Sequence, residues 1–313
     1  MKIIDLHCDT IVALAESLKE SELWQNIFQV DIQKLKAANS LAQFFALYID
    51  LKNGKDPLEW GLSLLDRFYQ ELAKNQDDIQ LARSYQELCD NSQAGKISAF
   101  LTIEEGGALK GQLVNLRNFY RLGVRLITLT WNYPNEIGFP NHQWQYAADG
   151  LTTFGRDVVT EMNELGMIID VSHLSDQGFY DVACLSTKPF IASHSNSRAV
   201  TNHTRNLSDD MIKVLAQKGG IMGINFAKDF LGSIDISRVE DMVRHIKHIH
   251  RVGGIEVIAL GSDFDGINPN LEIKNIGEIN KLIRALRAVH FSEADIEKIC
   301  YQNAMRLLRD TLN

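Results

Sequence analysis

The chain has 313 residues, of which 45% are hydrophobic and 23% charged, and a formal net charge of −8. That length fits one large α/β barrel or two ordinary domains, and the composition is that of a globular protein with a sizeable core. The negative balance argues against non-specific binding to nucleic acid or to an anionic membrane surface, and no apolar run approaches the roughly 18 residues a membrane-spanning helix needs.

The first residues, Met1-Lys2-Ile3-Ile4-Asp5, run straight into a strand-like segment, without the long apolar stretch and cleavage site of a signal peptide. The four cysteines, Cys8, Cys89, Cys184 and Cys300, are scattered and form no Cys-x-x-Cys pair. Thiols this sparse suggest a reducing compartment, so the expected location is cytoplasmic. At the other end, Leu307-Leu308-Arg309-Asp310 reads as an amphipathic helix end and not as a lipid-anchor signal.

Between the ends a strand-like run followed by a helical pattern recurs. Strands are expected at residues 3–7, 42–49, 97–104, 125–130, 167–173, 189–194, 220–226 and 257–262. Most are apolar over nearly their full length, as when both faces of a sheet are covered. Amphipathic helices are expected at 57–74, 113–122, 152–165, 176–185, 208–217 and 237–252, with a last helix opening at Ser292. Ser208-Asp209-Asp210 and Ser292-Glu293-Ala294-Asp295 offer N-caps with acids in the first turn, where the helix dipole favours them. Gly123, Gly166 and Gly219 follow helical patterns where a left-handed cap is wanted. Eight alternating strands and helices point to a single (β/α)8 barrel domain over residues 1–313; a doubly wound open sheet is the alternative. A barrel would put the active site at the carboxyl ends of its strands.

Those ends carry a biased set of residues. The first strand offers His7 and Asp9, which alternation would put on one face. The third offers Glu104 or Glu105, the fifth His173, the sixth His194, and the eighth Asp263 or Asp265. Each residue alone has a plainer reading as a hydrogen-bonding or turn residue. Together they converge on one barrel mouth and read as a metal site. Two imidazoles and a carboxylate suit a borderline metal such as zinc, and three histidines with two or three carboxylates suffice for two ions. Glutamate is the natural bridge, and paired metals lower the pKa of bound water toward about 7 to give a hydroxide nucleophile.

Six segments appear in order: Asp5-Leu6-His7-Cys8-Asp9-Thr10, Ile103-Glu104-Glu105-Gly106-Gly107, Asp170-Val171-Ser172-His173, Ala192-Ser193-His194-Ser195, His203-Thr204-Arg205-Asn206 and Gly261-Ser262-Asp263-Phe264-Asp265-Gly266. Together they resemble the membrane dipeptidase (renal dipeptidase) family of zinc peptidases in the amidohydrolase superfamily, and the resemblance runs from about residue 3 to the last helix. It implies a distorted (β/α)8 barrel with two zinc ions and a metal-bridging hydroxide that attacks a dipeptide, including one with a C-terminal D-amino acid. His7 and Asp9 would bind the first metal, Glu104 would bridge, and His173 and His194 would bind the second. Asp263 would shuttle the proton, and Arg205 would hold the substrate's terminal carboxylate, a task that suits a forked guanidinium. Residue parity with Thr102 and the spacing to Leu129-Thr130 favour Glu104 over Glu105. Nearness to the strand end favours Asp263 over Asp265.

After Thr128-Leu129-Thr130, where some members, including the animal enzymes, have a histidine thought to polarise the scissile carbonyl, this chain has Trp131 and Asn132. Both are expected to contact substrate. Residues 131–150 form a long aromatic loop with Trp131, Tyr133, Phe139, Trp144 and Tyr146, expected to wall or cover the site. An interface role in a homodimer is the other reading of that loop. The rival functions are a metal-dependent hydrolase of another amide or lactone, such as an N-acyl amino acid or a β-lactam, and a non-catalytic binding protein on the same scaffold.

Overall fold

The computed structural model describes residues 1–17 and 21–312. Nine strands run parallel in one sheet: β1 (Ile3–Cys8), β2 (Ser40–Tyr48), β3 (Ile79–Leu81), β4 (Ile97–Glu104), β5 (Val124–Thr128), β6 (Ile168–Asp170), β7 (Ile191–Ala192), β8 (Ile221–Ile224) and β9 (Ile258–Leu260). Eight of them close a ring in the order β1-β2-β4-β5-β6-β7-β8-β9, with β9 returning to β1 through Asp5 and Leu260. The ladder between β2 and β4, residues 42–48 against 98–104, is the pairing an open sheet would lack. The fold is therefore a (β/α)8 barrel. The ninth strand, β3, pairs with the first three residues of β4. Three residues are too few to show a period, which is why the sequence pattern does not reveal it.

One apolar cluster fills the ring. Ile4, Leu6, Phe44, Phe100, Leu126, Ile168, Ile191, Ile221 and Ala259 come from all eight ring strands, and Ala304, Leu307 and Leu308 of the helix Asn303–Thr311 join them. A larger cluster lies between the ring and its helices and takes the alternate residues, among them Phe45, Leu101, Ile169, Ala192 and Met222. Burial on both faces explains the unbroken apolar runs of these strands.

The helices start and stop for local reasons. Asp56 accepts from Leu58 N and Glu59 N at the start of Pro57–Lys74, and Pro57 has no N–H to leave unsatisfied there. Ser208 and Ser292 cap as expected, accepting from Met211 N and Asp295 N. Gly166 ends Thr153–Leu165 at φ +71°, the left-handed region open to glycine. Tyr85–Gln93 was not expected as a helix, because its face is weakly apolar. Its signal is the Ser84-x-x-Glu87 box, in which Ser84 accepts from Glu87 N. Among the described residues no helix is long and apolar enough to cross a membrane.

Several strands are shorter than expected, β5, β8 and β9 as well as the two that lead to histidines. β6 stops at Asp170 and β7 at Ala192, so His173 and His194 stand on the loops beyond them. The cause is the Asp170 carboxylate, which accepts from Ser172 N and Ser193 N and so draws those amides into side-chain bonds.

Candidate metal centre

The barrel builds this site in layers. One step past the apolar layer, two residues further along, come Thr102, Thr128 and Asp170 on their strands and Ser193 just past β7, all buried. Asp170 accepts from Thr128 Oγ1 at 2.6 Å and from Ser193 Oγ at 2.5 Å. Above this polar layer Glu104, the last residue of β4, meets His7, His173 and His194. In β1 the register against β2 shifts between Asp5 and Cys8, so that Leu6 packs inside the ring and Cys8 outside it. That irregularity turns His7 toward the mouth. Asp9 follows at the N-cap of the helix Thr10–Glu16. The chain passes close over it, since a Cβ on Gly266 would lie 2.0 Å from Asp9 Oδ2.

The distances define one compact cluster. Glu104 Oε1 is 3.1 Å from His173 Nε2 and 3.4 Å from His194 Nε2, and Glu104 Oε2 is 3.3 Å from His7 Nε2. His7 Nε2 is 3.5 Å from Asp9 Oδ2 and 3.8 Å from Asp263 Oδ1. Ligand atoms of His7, Asp9 and Glu104, of Glu104, His173 and His194, and of His7, His194 and Asp263 each gather within 4.8 Å. All six side chains are buried.

The hydrogen bonds around the cluster suit cations. His194 Nδ1 lies 2.7 Å from Ser193 Oγ, which donates onward to Asp170, so the Nδ1–H of His194 donates to Ser193. His173 Nδ1 lies 3.2 Å from Asn132 Oδ1 and donates to it. Both rings therefore carry their proton on Nδ1, and their two Nε2 lone pairs face each other at 3.1 Å. Two lone pairs at that distance repel unless a positive charge lies between them. His7 Nε2 and Asp9 Oδ1 are also buried without a hydrogen-bond partner among the described residues. The donor set is imidazole and carboxylate, the set zinc takes.

The charges are set by burial and by one another. Burial works against ionised Glu104, but the charge of His7 and the imidazoles of His173 and His194 beside it hold its carboxyl well below the usual range. Burial and Arg205 press His173 down to about 3, while the nearby Glu104 carboxylate opposes them. Burial and His7 keep His194 well below its ordinary value. Burial raises Asp263 to about 7; His7 opposes this, and the charges of Asp9 and Glu104 add to it. Asn225 Nδ2 donates to Asp263 Oδ2 at 2.7 Å and fixes that carboxylate.

The two rival acids are engaged by other parts of the chain. Glu105, at φ +103°, accepts from Gly107 N, from Trp131 N at 2.9 Å and from Asn135 Nδ2. It pins the start of the aromatic loop to the end of β4. Asp265 accepts from Thr10 Oγ1 and Gln29 N, both at 2.6 Å, and so holds two neighbouring segments.

Two cavities open at the mouth. One, of about 380 Å³, is lined by Asp9, Glu16, Glu104, Asp263 and Asp265, with Tyr48 and Trp131 as aromatic walls. The second, of about 570 Å³, shares Asn132, His173 and Phe230 with the first and adds His142, Trp144, Asn202, His203 and Arg205. The loop of residues 131–150 thus walls both. Arg205 is buried, its Nε has no partner among the described residues, and its other nitrogens donate to Ser195 Oγ at 3.4 Å and His194 O at 3.1 Å. A larger cavity of about 750 Å³, around Val239, Val243 and Ala288, contains none of these residues.

The structure brings together His7, Asp9, Glu104, His173, His194 and Asp263, and sets Arg205, Trp131 and Asn132 around them. Asp170, Ser193 and Asn225 are additions from the structure. The first two sit inside the Asp-x-Ser-His and Ser-His segments, but only the closed barrel shows that they act on one imidazole.

The whole chain, residues 1–313, matches the family model described as membrane dipeptidase, peptidase family M19. An uncharacterised dipeptidase of Schizosaccharomyces pombe is 30% identical, over 99% of this chain and 80% of its own length. A metallopeptidase from Rhodobacter sphaeroides, solved with a phosphinate mimic of the dipeptide L-Ala-D-Ala, superposes with a TM-score of 0.90 at 26% identity, covering 99% of each chain. A second solved structure, a dipeptidase of the same peptidase family, has a TM-score of 0.90 at 27% identity, over 100% of this chain and 99% of its own.

Proposed function

This chain belongs to the membrane dipeptidase family and is a metal-dependent dipeptidase, and we propose that it uses two zinc ions to cleave dipeptides, including those ending in a D-amino acid. The observation that carries the reading is the convergence of three imidazoles on the Glu104 carboxylate, beside the unpartnered His7 Nε2 and Asp9 Oδ1. In this reading His7 and Asp9 hold one ion, His173 and His194 the other, and Glu104 serves both. Zinc held there supplies Lewis acidity toward the scissile carbonyl and lowers the pKa of a bound water toward about 7.

The remaining chemistry falls to the chain's own residues. Asp263 takes the proton from the attacking water and delivers it to the leaving amine. Its carboxylate, 3.8 Å from His7 Nε2 and fixed by Asn225, stands beside the proposed metal site, where a proton carrier is needed. Arg205 forks onto the substrate's terminal carboxylate and fixes the distance from that group to the scissile bond. Tyr48 and Trp131 wall the chamber that takes the N-terminal residue. The products are two free amino acids. The four free cysteines support a reducing, cytoplasmic setting as part of the same reading.

Tolerance of a D-residue at the C-terminal position follows from the anchors. The carbonyl and the far carboxylate are held, and neither anchor reads the handedness of the last side chain. The L-Ala-D-Ala mimic bound by the Rhodobacter protein supports this for a relative. Inverting the N-terminal residue displaces the carbonyl, and a displacement of about 1 Å costs roughly 10²-fold in rate. Hydrolysis of L-Ala-D-Ala beside D-Ala-L-Ala, with zinc present, tests the proposal. Cleavage of the first and slow turnover of the second is expected; the reverse order, or inertness to both, contradicts it.

A further inference from the structure

We infer that the second mouth cavity is a subsite for an anionic side chain on the C-terminal residue, so that the enzyme favours dipeptides ending in Glu or Asp over their amides. The inference rests on the reading that Arg205 binds the terminal carboxylate. Arg205 lines the second cavity and not the first, whereas Glu104 and Asp263 line the first and not the second. A substrate stretched between them lays its C-terminal residue past the shared wall of Asn132 and His173. Its side chain then has about 570 Å³ to enter.

The lining of that space is selective. The first cavity carries five carboxylates, on Asp9, Glu16, Glu104, Asp263 and Asp265. Among the described residues the second has none, and its polar side chains include N–H donors on His142, Asn202, His203 and Arg205. His203 is the best placed of them. Its Nδ1 accepts from Arg205 N at 3.2 Å, so the neutral ring carries its proton on Nε2, and Phe230 packs on the ring at 4.6 Å. Burial and Arg205 lower its pKa, so it serves as a neutral donor, and His142 is near enough to act in the same direction. The carboxylate of Asp229 also acts on His203, but Asp229 is exposed and lies outside the lining. Arg198 stacks on Trp144, yet its guanidinium is already paired twice with Asp176, at 2.7 and 2.8 Å, and adds little net charge. A side-chain carboxylate entering here meets donors and no competing acid. An amide of the same shape loses the charge-assisted bonds, and an ammonium finds no acceptor of opposite charge.

The test compares kcat/KM for L-Ala-L-Glu, L-Ala-L-Gln and L-Ala-L-Lys in the zinc-loaded enzyme, with L-Ala-L-Ala and its C-terminal amide as references. A preference for Glu over Gln of about tenfold is expected, the yield of one charge-assisted bond, with Lys below both. His203→Phe keeps a ring against Phe230 and should bring the Glu/Gln ratio toward one. His142→Phe is the second variant and should lower the same ratio if His203→Phe does not fold. A wild-type ratio of one or less, with free L-Ala-L-Ala cleaved and its amide resistant, overturns the inference alone. So does a ratio that survives in every variant that folds. Equal cleavage of the free and amidated references overturns the Arg205 reading, and the inference falls with it.

Discussion

The two cavities at the barrel mouth share Asn132 and His173 and differ in everything that carries charge. Among the described residues five carboxylates line one, and the other has none. They also differ in what holds them. Glu104 is the last residue of β4, and Asp9 and Asp263 stand within three residues of the ends of β1 and β9. The acid-free cavity is built from loops, residues 131–150 and 202–205, with Phe230 from a short helix. The contrast separates two tasks. Reactive groups need positions fixed at or just beyond strand ends, whereas recognition of a substrate's ends tolerates longer loop scaffolding, and loops vary more readily than strands.

If that division holds, substitutions on the acidic side change metal content and kcat, and those on the other side change KM. Glu104→Gln should have the largest effect, abolishing hydrolysis and losing a metal ion. Glu105→Gln beside it should keep the metal and lose less activity, since Glu105 holds loop amides. Elemental analysis of both variants checks this, and the reverse ranking breaks the assignment. Next, Asp263→Asn should lower kcat by about 10²–10⁴-fold, the range of general acid–base catalysis, with metal content intact. A change confined to KM would show that Asp263 only binds. Arg205→Ala should raise KM for free dipeptides by the equivalent of about 2–5 kcal/mol and leave amidated dipeptides nearly unchanged. A drop in kcat at constant KM would move Arg205 to the catalytic side. Smallest of the four, Ser193→Ala removes the link between Asp170 and His194 and should weaken metal affinity by about 10–100-fold. Competition with a chelating dye measures it, and an unchanged affinity would mean that packing alone holds the ring.

The barrel and most of the cluster were legible from residues at strand ends, because doubly covered strands show as apolar runs and a polar residue closing such a run stands out. His7, Glu104, His173 and His194 were visible in this way. What the pattern hides depends on closure. Asp170 looks like an ordinary strand residue, yet in the ring it ends both β6 and β7 and, through Ser193, orients His194. Asn132 was expected to touch substrate, and the structure shows it accepting from His173 Nδ1, a contact 41 residues apart that no local spacing reveals. The strand ends at β6 and β7 were placed too late for the same reason. The division into two cavities, with acids on one side only, could not be read along the chain, since the loops that build it come from distant segments.

The most direct measurement is the metal content of the purified protein taken together with hydrolysis of L-Ala-D-Ala before and after chelation. The account predicts about two zinc ions per chain, loss of activity when they are removed and recovery when zinc is returned. Protein that carries no zinc and cleaves the dipeptide at an undiminished rate in the presence of chelator would contradict it.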